Sequence, residues 1–488
     1  MKGLVLNLGL KGVRAIIFDP NGKIIAYAHQ RVNTFLERDY VEQDPIEWWT
    51  NGLNCIKETI KKERNIDFIT VTSSAACLLP IKYDGTCLMR AIMVSDKRAP
   101  QEARYIEGLE SFNKLPYKAD AYYSIPRILW IKNNFPQIYK ETYKFISPND
   151  FFIYKLTNNF CIDELNATKY YAINNNYPKE LLNDLDIDQD KLPEIKPIGF
   201  VLETSEDFLR ETGLDKKIKV IITTYDAICA FFGAGVKNEG DACDMSGTVT
   251  SLRVLTKKRI KENEFRIFEH KYKDWNIIGA SNNLGGSLIE WALDIFYSKD
   301  DYAQLEQLAN YFSAKTGLIF LPYLLGERAP LWDNDVRGAF LGIERFHNKH
   351  DMARAVLEST GYILRHLIET IEENGITISR LYVSGGLAKI DLINQIKADV
   401  IGKNIFKLTE TETTALGAYC LARRSLDAEF DPASCAEVEK VYIPDLTKKG
   451  TYSYGYQLFK KVYNDLREFH EHRKRELVND YELRRINL

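Results

Sequence analysis

Asp226 stands where an α/β chain presents catalytic groups. It follows the β-branched apolar run Ile218-Lys-Val-Ile-Ile222 and precedes a small apolar stretch from Ala227 to Gly235. The run reads as a buried strand and the stretch as a helix. A strand end that leads into a helix start faces the crevice of such a sheet. A carboxylate there can take a proton from an alcohol. Its plainer role would be to cap the helix.

Three glycine-containing turns suit phosphate. Gly9-Leu-Lys-Gly12 joins two short apolar runs, and its glycines let backbone N–H groups approach an anion. Lys11 in that turn would add a cation, or simply be solvated. Gly247-Thr248 separates the strand-like segments Asp241–Ser246 and Val249–Leu255 and echoes the first turn. Leu381-Tyr-Val-Ser-Gly-Gly386 runs from a strand into Gly385 and Gly386 and then into a helix over Ile390–Ile401. A strand, a glycine pair and a helix start can cradle a nucleotide phosphate, although the spacing is not that of a dinucleotide fingerprint and a plain β–α turn has the same form. His347 with His350, and His470 with His472, lack the ligand set of a zinc site.

The elements that position these groups can be read from local signals. Leu4–Leu8, Arg14–Phe18 and Lys23–His29 read as strands separated by turns. Asp44, Pro45 and Glu47 mark a capped helix start that runs to about Glu63, and Ser147-Pro-Asn-Asp150 marks another. Phe68–Thr72 reads as a buried strand leading into the small-residue turn Ser73-Ser-Ala-Ala-Cys77. A hairpin comes next around Asp84-Gly85, with a strand over Ile92–Asp96. Residues 160–215 read as loops and short helices. Thr413-Thr-Ala-Leu-Gly-Ala418 begins a small-residue helix able to pack closely, and the charged tail from Tyr452 reads as a solvated amphipathic helix. The chain therefore divides into two α/β halves with related openings that meet near Asp241, and a ligand held in a cleft between them is expected.

Composition sets the outer bounds. A chain of 488 residues is too long for one core. A net charge of −3 gives no case for nucleic acid or an anionic membrane as partner. The eight Cys form no C-x-x-C pair, which fits buried thiols in a reducing, cytoplasmic setting. No signal peptide or membrane-length apolar run is expected.

Several motifs together carry a resemblance. Leu321-Pro-Tyr-Leu-Leu-Gly-Glu-Arg-Ala-Pro-Leu-Trp-Asp333, continuing through Arg337-Gly-Ala-Phe-Leu-Gly342, is the most specific. In order along the chain come Glu42-Gln-Asp-Pro45 with Trp48 and Trp49, Ser124-Ile-Pro-Arg127 with Trp130, Asp226-Ala227, Ser246-Gly-Thr248, Ser384-Gly-Gly386 and Thr414-Ala-Leu-Gly417. Over roughly residues 3–425 the chain resembles the FGGY carbohydrate kinases of the actin-like sugar-kinase superfamily. The resemblance implies two actin-like (ribonuclease H-like) α/β domains, each a mixed five-stranded sheet flanked by helices. The sugar-binding domain would span 1–240, the nucleotide-binding domain 241–446, and a helical tail 447–488.

It further implies an ATP- and Mg²⁺-dependent phosphoryl transfer to a ketose, polyol or sugar acid, in the manner of xylulose kinases, with Asp226 as base. Ser74, Ala75, Ala76, Cys77 and Tyr225 would line the sugar site with Asp226. Gly9, Lys11, Gly247, Thr248, Gly285, Gly385 and Gly386 would bind the nucleotide. Asn7 and Asp226 would face the metal, and a homodimer is common in the family.

The chain departs from the family pattern in three ways. Asn7 replaces an Asp that positions Mg²⁺ and offers a neutral amide oxygen. Leu10, Lys11 and Gly12 replace a Thr/Ser-rich turn. Ala75 and Ala76 replace polar or Met-His residues, which argues against ordinary xylulose or glycerol specificity, while Tyr225 replaces a common Gly. A catalytically impaired homologue that senses sugar and nucleotide is the alternative that Asn7 raises. An actin-like ATPase without a sugar is a third reading, which the Gly326–Pro330 segment opposes.

Overall fold

The computed structural model describes residues 1–247, 250–261, 267–298, 301–333, 335–410 and 412–473. Thr248, Val249 (the first residue of the expected strand) and residues 474–488 of the expected helical tail lie outside them. The chain forms two compact units, Met1–Gly235 with Glu412–Ala436, and Val236–Thr411 with Glu437–Leu488.

The first unit is built on a six-stranded sheet. Its strands are β1 (Gly3–Gly9), β2 (Gly12–Phe18), β3 (Ile24–Arg31), β4 (Phe68–Ser73), β5 (Val201–Glu203) and β6 (Lys219–Ile221). Their order is β5-β6-β4-β1-β2-β3. β1, β4 and β6 are parallel, and β2, β3 and β5 pair antiparallel with their neighbours. β1 and β4 are buried on both faces, and Leu4, Val5, Leu6 and Ile69 are fully buried.

Its helices include α1 (Pro45–Lys62), α2 (Ser124–Asn134), α3 (Pro148–Thr157) and α4 (Asp226–Gly233). Asp44 caps α1 by accepting from the Ile46 N–H, as its sequence predicts. Glu47 does not close a capping box; its carboxylate takes the backbone and side-chain N–H groups of Asn33 instead. Ser147 and Asp150 do form the reciprocal box at α3. The strand expected over Ile92–Asp96 ends at Ile92, because Asp96 turns inward to Arg98.

The second unit repeats the plan with seven strands. They are β7 (Asp241–Ser246), β8 (Thr250–Thr256), β9 (Phe268–Tyr272), β10 (Trp275–Ser281), β11 (Arg380–Ser384), β12 (Ile405–Leu408) and β13 (Val438–Tyr442). Their order is β9-β10-β8-β7-β11-β12-β13, with β7, β11 and β12 parallel. The expected five-stranded pattern is β3-β2-β1-β4-β6 in one unit and β10-β8-β7-β11-β12 in the other. The additional strands are edge strands. The helices are α5 (Gly286–Phe296), α6 (Lys349–Glu372), α7 (Asp391–Ile401), α8 (Thr413–Leu426) and α9 (Lys449–Asp465).

Two segments depart from the expected boundaries. Helix α8, expected in the nucleotide-binding half, packs in the first unit, where its Gly417 meets α4 backbone. Helix α9 is not a solvated tail. Tyr452, Tyr456 and Phe459 form an aromatic stripe at helical spacing that is buried in the second core. Tyr452 accepts from the buried Arg354, which also pairs with Glu358. Its charges occupy the opposite face, which is why composition alone suggests a solvated helix.

Candidate active site

In the first unit the parallel strands β1, β4 and β6 end side by side, and their carboxyl ends carry the polar residues. Asn7 on β1 is in register with Thr72 on β4. The Thr72 hydroxyl donates to the Thr224 carbonyl at 2.9 Å, tying β4 to the turn before α4. Tyr225 is the N-cap residue of α4 and Asp226 its first residue, so Asp226 is not the cap that its position suggests. Its Oδ1 accepts from the Ala227 N–H at 2.6 Å, and its Oδ2 accepts from the Ser74 hydroxyl at 3.3 Å. The carboxylate is thus held from two sides while half-buried.

The predicted sugar loop is therefore beside the predicted base. Ala76 has a left-handed backbone, with φ of 55°. Its carbonyl turns to Arg127, whose fully buried guanidinium also donates to the carbonyls of Val94, Asp96 and Ala121. One side chain of α2 thus fixes three loops. Burial pulls the Arg127 guanidinium down to about 10. Burial also pushes the Cys77 thiol up to about 12, so Cys77 is a packing residue rather than a nucleophile.

Ala75 is half-buried and Tyr225 is buried. The Lys169 ammonium lies 5.4 Å from the Tyr225 ring centre and 5.9 Å from that of Tyr123. Sequence reasoning misses Lys169, Tyr123 and Arg98. Arg98 is buried against Asp96 and Glu42, 2.7 Å from each carboxylate. The Asp-x-Arg spacing at 96–98 is a signal for that pair, but burial alone distinguishes it from surface charge.

The first glycine turn is a tight hairpin. Gly9 pairs with Gly12, leaving Leu10 and Lys11 at an exposed tip. Gln43, just before the Asp44 cap of α1, donates to the Leu10 carbonyl at 2.9 Å and fixes that tip. A Cβ at Gly12 would lie 2.5 Å from the Gln30 carbonyl oxygen, so the turn needs glycine there. The Asn7 amide is 3% exposed and makes no side-chain hydrogen bond among the described residues.

The second unit gathers Gly247, Gly285, Gly385 and Gly386. The Gly286 N–H donates to the Gly247 carbonyl at 2.7 Å. Gly385 has φ of 89°, and a Cβ on it would lie 2.5 Å from the Ser246 carbonyl oxygen. Gly386 is open, with Ser246 O 4.0 Å from its Cβ position, so Gly385 is the constrained member of the pair. Beneath the hairpin Lys397 and Asp244 form a buried ion pair at 2.6 Å, and the Ser246 hydroxyl joins both. Among the described residues no three His, Cys, Asp or Glu side chains group as a metal cluster, and no helix is long and apolar enough to cross a membrane.

The N-terminal domain model of the FGGY family of carbohydrate kinases matches residues 3–233, and its C-terminal domain model matches 245–426. The chain belongs to the FGGY family of carbohydrate kinases. Members of the family are phosphotransferases with an alcohol group as acceptor, and this protein is an ATP-dependent carbohydrate kinase. A xylulose kinase of Staphylococcus epidermidis is 27% identical over 95% of this chain and 97% of its own length. A glycerol kinase of Thermococcus kodakarensis is 28% identical over 92% and 94%. The crystal structure of gluconate kinase from Lactobacillus acidophilus has a TM-score of 0.86 at 24% identity, covering 95% of this chain and 98% of that one. That likeness gives the fold, the two-domain actin-like architecture of these kinases.

Proposed function

We propose that this kinase transfers the γ-phosphate of ATP to a hydroxyl of a ketose, polyol or sugar acid, with Asp226 as general base. The first unit takes the sugar and the second the nucleotide. The observation that carries the assignment is the Asp226 carboxylate at the strand ends, oriented by Ser74 and by the Ala227 N–H. A base held in this way accepts the proton of the attacking hydroxyl, which supports roughly 10²–10⁴ in rate. Phosphoryl transfer otherwise depends on alignment and charge neutralisation. The xylulose kinases among its relatives support a ketose, whereas Ala75 and Ala76, in place of the polar or Met-His residues of the family pattern, argue against ordinary xylulose or glycerol specificity and leave other ketoses, polyols and sugar acids as acceptors to test.

The residues present fit Mg²⁺ held mainly by water and phosphate oxygens. The carboxylate of Asp226 and the near-buried amide of Asn7, which has no other side-chain partner among the described residues, would hold it. When bound, the ion neutralises charge on the transferring phosphoryl group. Gly9, Gly247, Gly285, Gly385 and Gly386 present backbone N–H groups to phosphates, and Lys11 adds a cation at an exposed hairpin tip.

ATP consumption over a panel of pentuloses, polyols and aldonates identifies the acceptor. On that acceptor Asp226→Asn should lose at least about 10²-fold in kcat while ATP still binds. A variant that retains a tenth of the activity would remove Asp226 from the role of base.

A further inference from the structure

The family signature at Gly326–Pro330 contains a buried acid with an unmet oxygen. Glu327 is fully buried. Its Oε1 accepts from the backbone N–H groups of Asn283 and Arg328, each at 2.8 Å. Its Oε2 meets no hydrogen-bond donor among the described residues. Its main chain pairs with Asp333 in both directions, at 2.8 and 2.9 Å.

The neighbouring residues turn to the same short segment. Arg328 donates to the Asn283 side-chain oxygen and to the Asn282 carbonyl, each at 2.8 Å. The Ala329 N–H donates to the Ser281 carbonyl at 3.1 Å. Asn282 in turn accepts from the N–H groups of Thr250 and Leu284. Gly286 closes on the Gly247 carbonyl, with room for hydrogen but little more, since a Cβ would lie 3.1 Å from that oxygen. Glu327 thus holds the Asn283 main chain at one end of the short 282–286 segment, and the Gly286 N–H ties the other end, beside Gly285, to Gly247.

We propose that Glu327 is a positioning residue for the nucleotide: through Asn283 it sets the Asn282–Gly286 turn that carries Gly285 and braces the Gly247 hairpin. The proposal rests on the assignment of Gly247 and Gly285 to ATP. It also gives that assignment a pH dependence. Burial pushes the Glu327 carboxyl up to about 8. The groups that face it are Arg328, whose guanidinium is turned to Asn282 and Asn283, and the buried phenol of Tyr323. Behind Tyr323 lie Tyr456 and Tyr463 of α9, and the Tyr463 hydroxyl donates to the Asp333 carboxylate at 3.1 Å. None of these gives Oε2 a donor. The neutral acid suits the site, and ionisation puts charge on a buried group whose Oε2 has no donor and whose two N–H bonds and nearby Arg328 offset burial only in part, which works against the turn.

The probe is ATP with Mg²⁺, titrated by calorimetry into the full chain at pH 7, 8 and 9. If only the protonated form keeps the turn in place, the apparent Kd should rise about tenfold between pH 7 and pH 9, in inverse proportion to the protonated fraction. Binding at pH 8 should then take up about half a proton, read from heats in buffers of different ionisation enthalpy. Glu327→Gln keeps an acceptor for the two N–H groups and cannot titrate, so its Kd should not follow pH, whereas Glu327→Ala should weaken ATP throughout the range. A wild-type affinity that is flat from pH 7 to pH 9, with no proton uptake, overturns the proposal even if neither variant folds. A Glu327→Gln profile that follows wild type also overturns it. Gly286→Val tests the underlying assignment separately: ATP affinity unchanged at pH 7 would remove the nucleotide from this hairpin and the proposal with it.

Discussion

Replacing Gly417 by Ala should disable the enzyme from the far side of the helix that carries Asp226. A Cβ at Gly417 would lie 1.7 Å from the carbonyl oxygen of Cys229 and 2.7 Å from the N–H nitrogen of Gly233. Gly233 faces α8 equally closely, its own Cβ position lying 1.9 Å from the Thr413 oxygen. The obstacle on both sides is backbone, so no rotamer change relieves it. Restoring ordinary contact requires α4 and α8 to part by roughly 2 Å. Overpacking of this kind costs about 1–3 kcal/mol, and two rigid backbones place it near the upper end.

Asp226 is the first residue of α4, and a shift of about 1 Å in a reacting group can cost on the order of 10²-fold in rate. Chemical denaturation should therefore show the first unit less stable by about 3 kcal/mol, and sugar-dependent ATP turnover should fall on the order of a hundredfold. Nucleotide affinity should change little. Gly450→Ala is the control, because nothing lies within 4 Å of the Cβ position of that helical glycine. A Gly417→Ala protein with wild-type stability and turnover within twofold would refute the link between the helix crossing and the base.

Two further substitutions test the phosphate and metal assignments. Asn7→Asp should lower the Mg²⁺ concentration needed for half-maximal rate, because a carboxylate replaces a neutral amide; if Lys11 carries the charge instead, that gain is small and Lys11→Ala is the damaging change. An active wild type whose Mg²⁺ dependence ignores both substitutions would put metal and phosphate elsewhere. Gly385→Ala should weaken ATP at least tenfold, because its backbone is left-handed and its Cβ would press on Ser246, whereas Gly386→Ala should stay within about threefold of wild type. Equal losses in a calorimetric titration would mean that side-chain room at this turn does not govern binding.

Local spacing made the strands and glycine turns legible, because the signals that build them lie within a few residues of the groups they position. Leu4–Leu8, Phe68–Thr72 and Ile218–Ile222 declare buried strands, and Ser74 and Asp226 come two and four residues after two of them. Their hydrogen bond was not legible, since it joins residues 152 apart in sequence. Burial of charged residues was not legible either: Glu327, Arg98 and Arg354 are buried in the fold, and nothing in their local sequence marks them so. The tail helix looks solvated because its charges outnumber Tyr452, Tyr456 and Phe459, yet those three decide where it docks.

The repeated topology explains why α8 crosses over to the first unit. In each half the third parallel strand, β6 or β12, runs into a helix, α4 or α8, and the residue patterns at the two helices match in kind. Gly233 on one meets Thr413 on the other, and Gly417 meets Cys229, so each helix contributes a glycine to the same crossing. Small residues are needed on both because the contact is backbone to backbone. The Thr414-Ala-Leu-Gly417 motif of α8 is therefore first a packing motif against α4, the helix that bears Asp226. The same two-strand hairpin at the opening of each half ends in glycine, at Gly9 and at Gly247, but the residues just past the next parallel strand differ. After β4 comes Ser74, which orients a carboxylate; after β11 comes Gly385, whose missing side chain lets the turn close on Ser246. One scaffold thus places a proton acceptor in one unit and a backbone cradle in the other, by changing a few residues at equivalent strand ends.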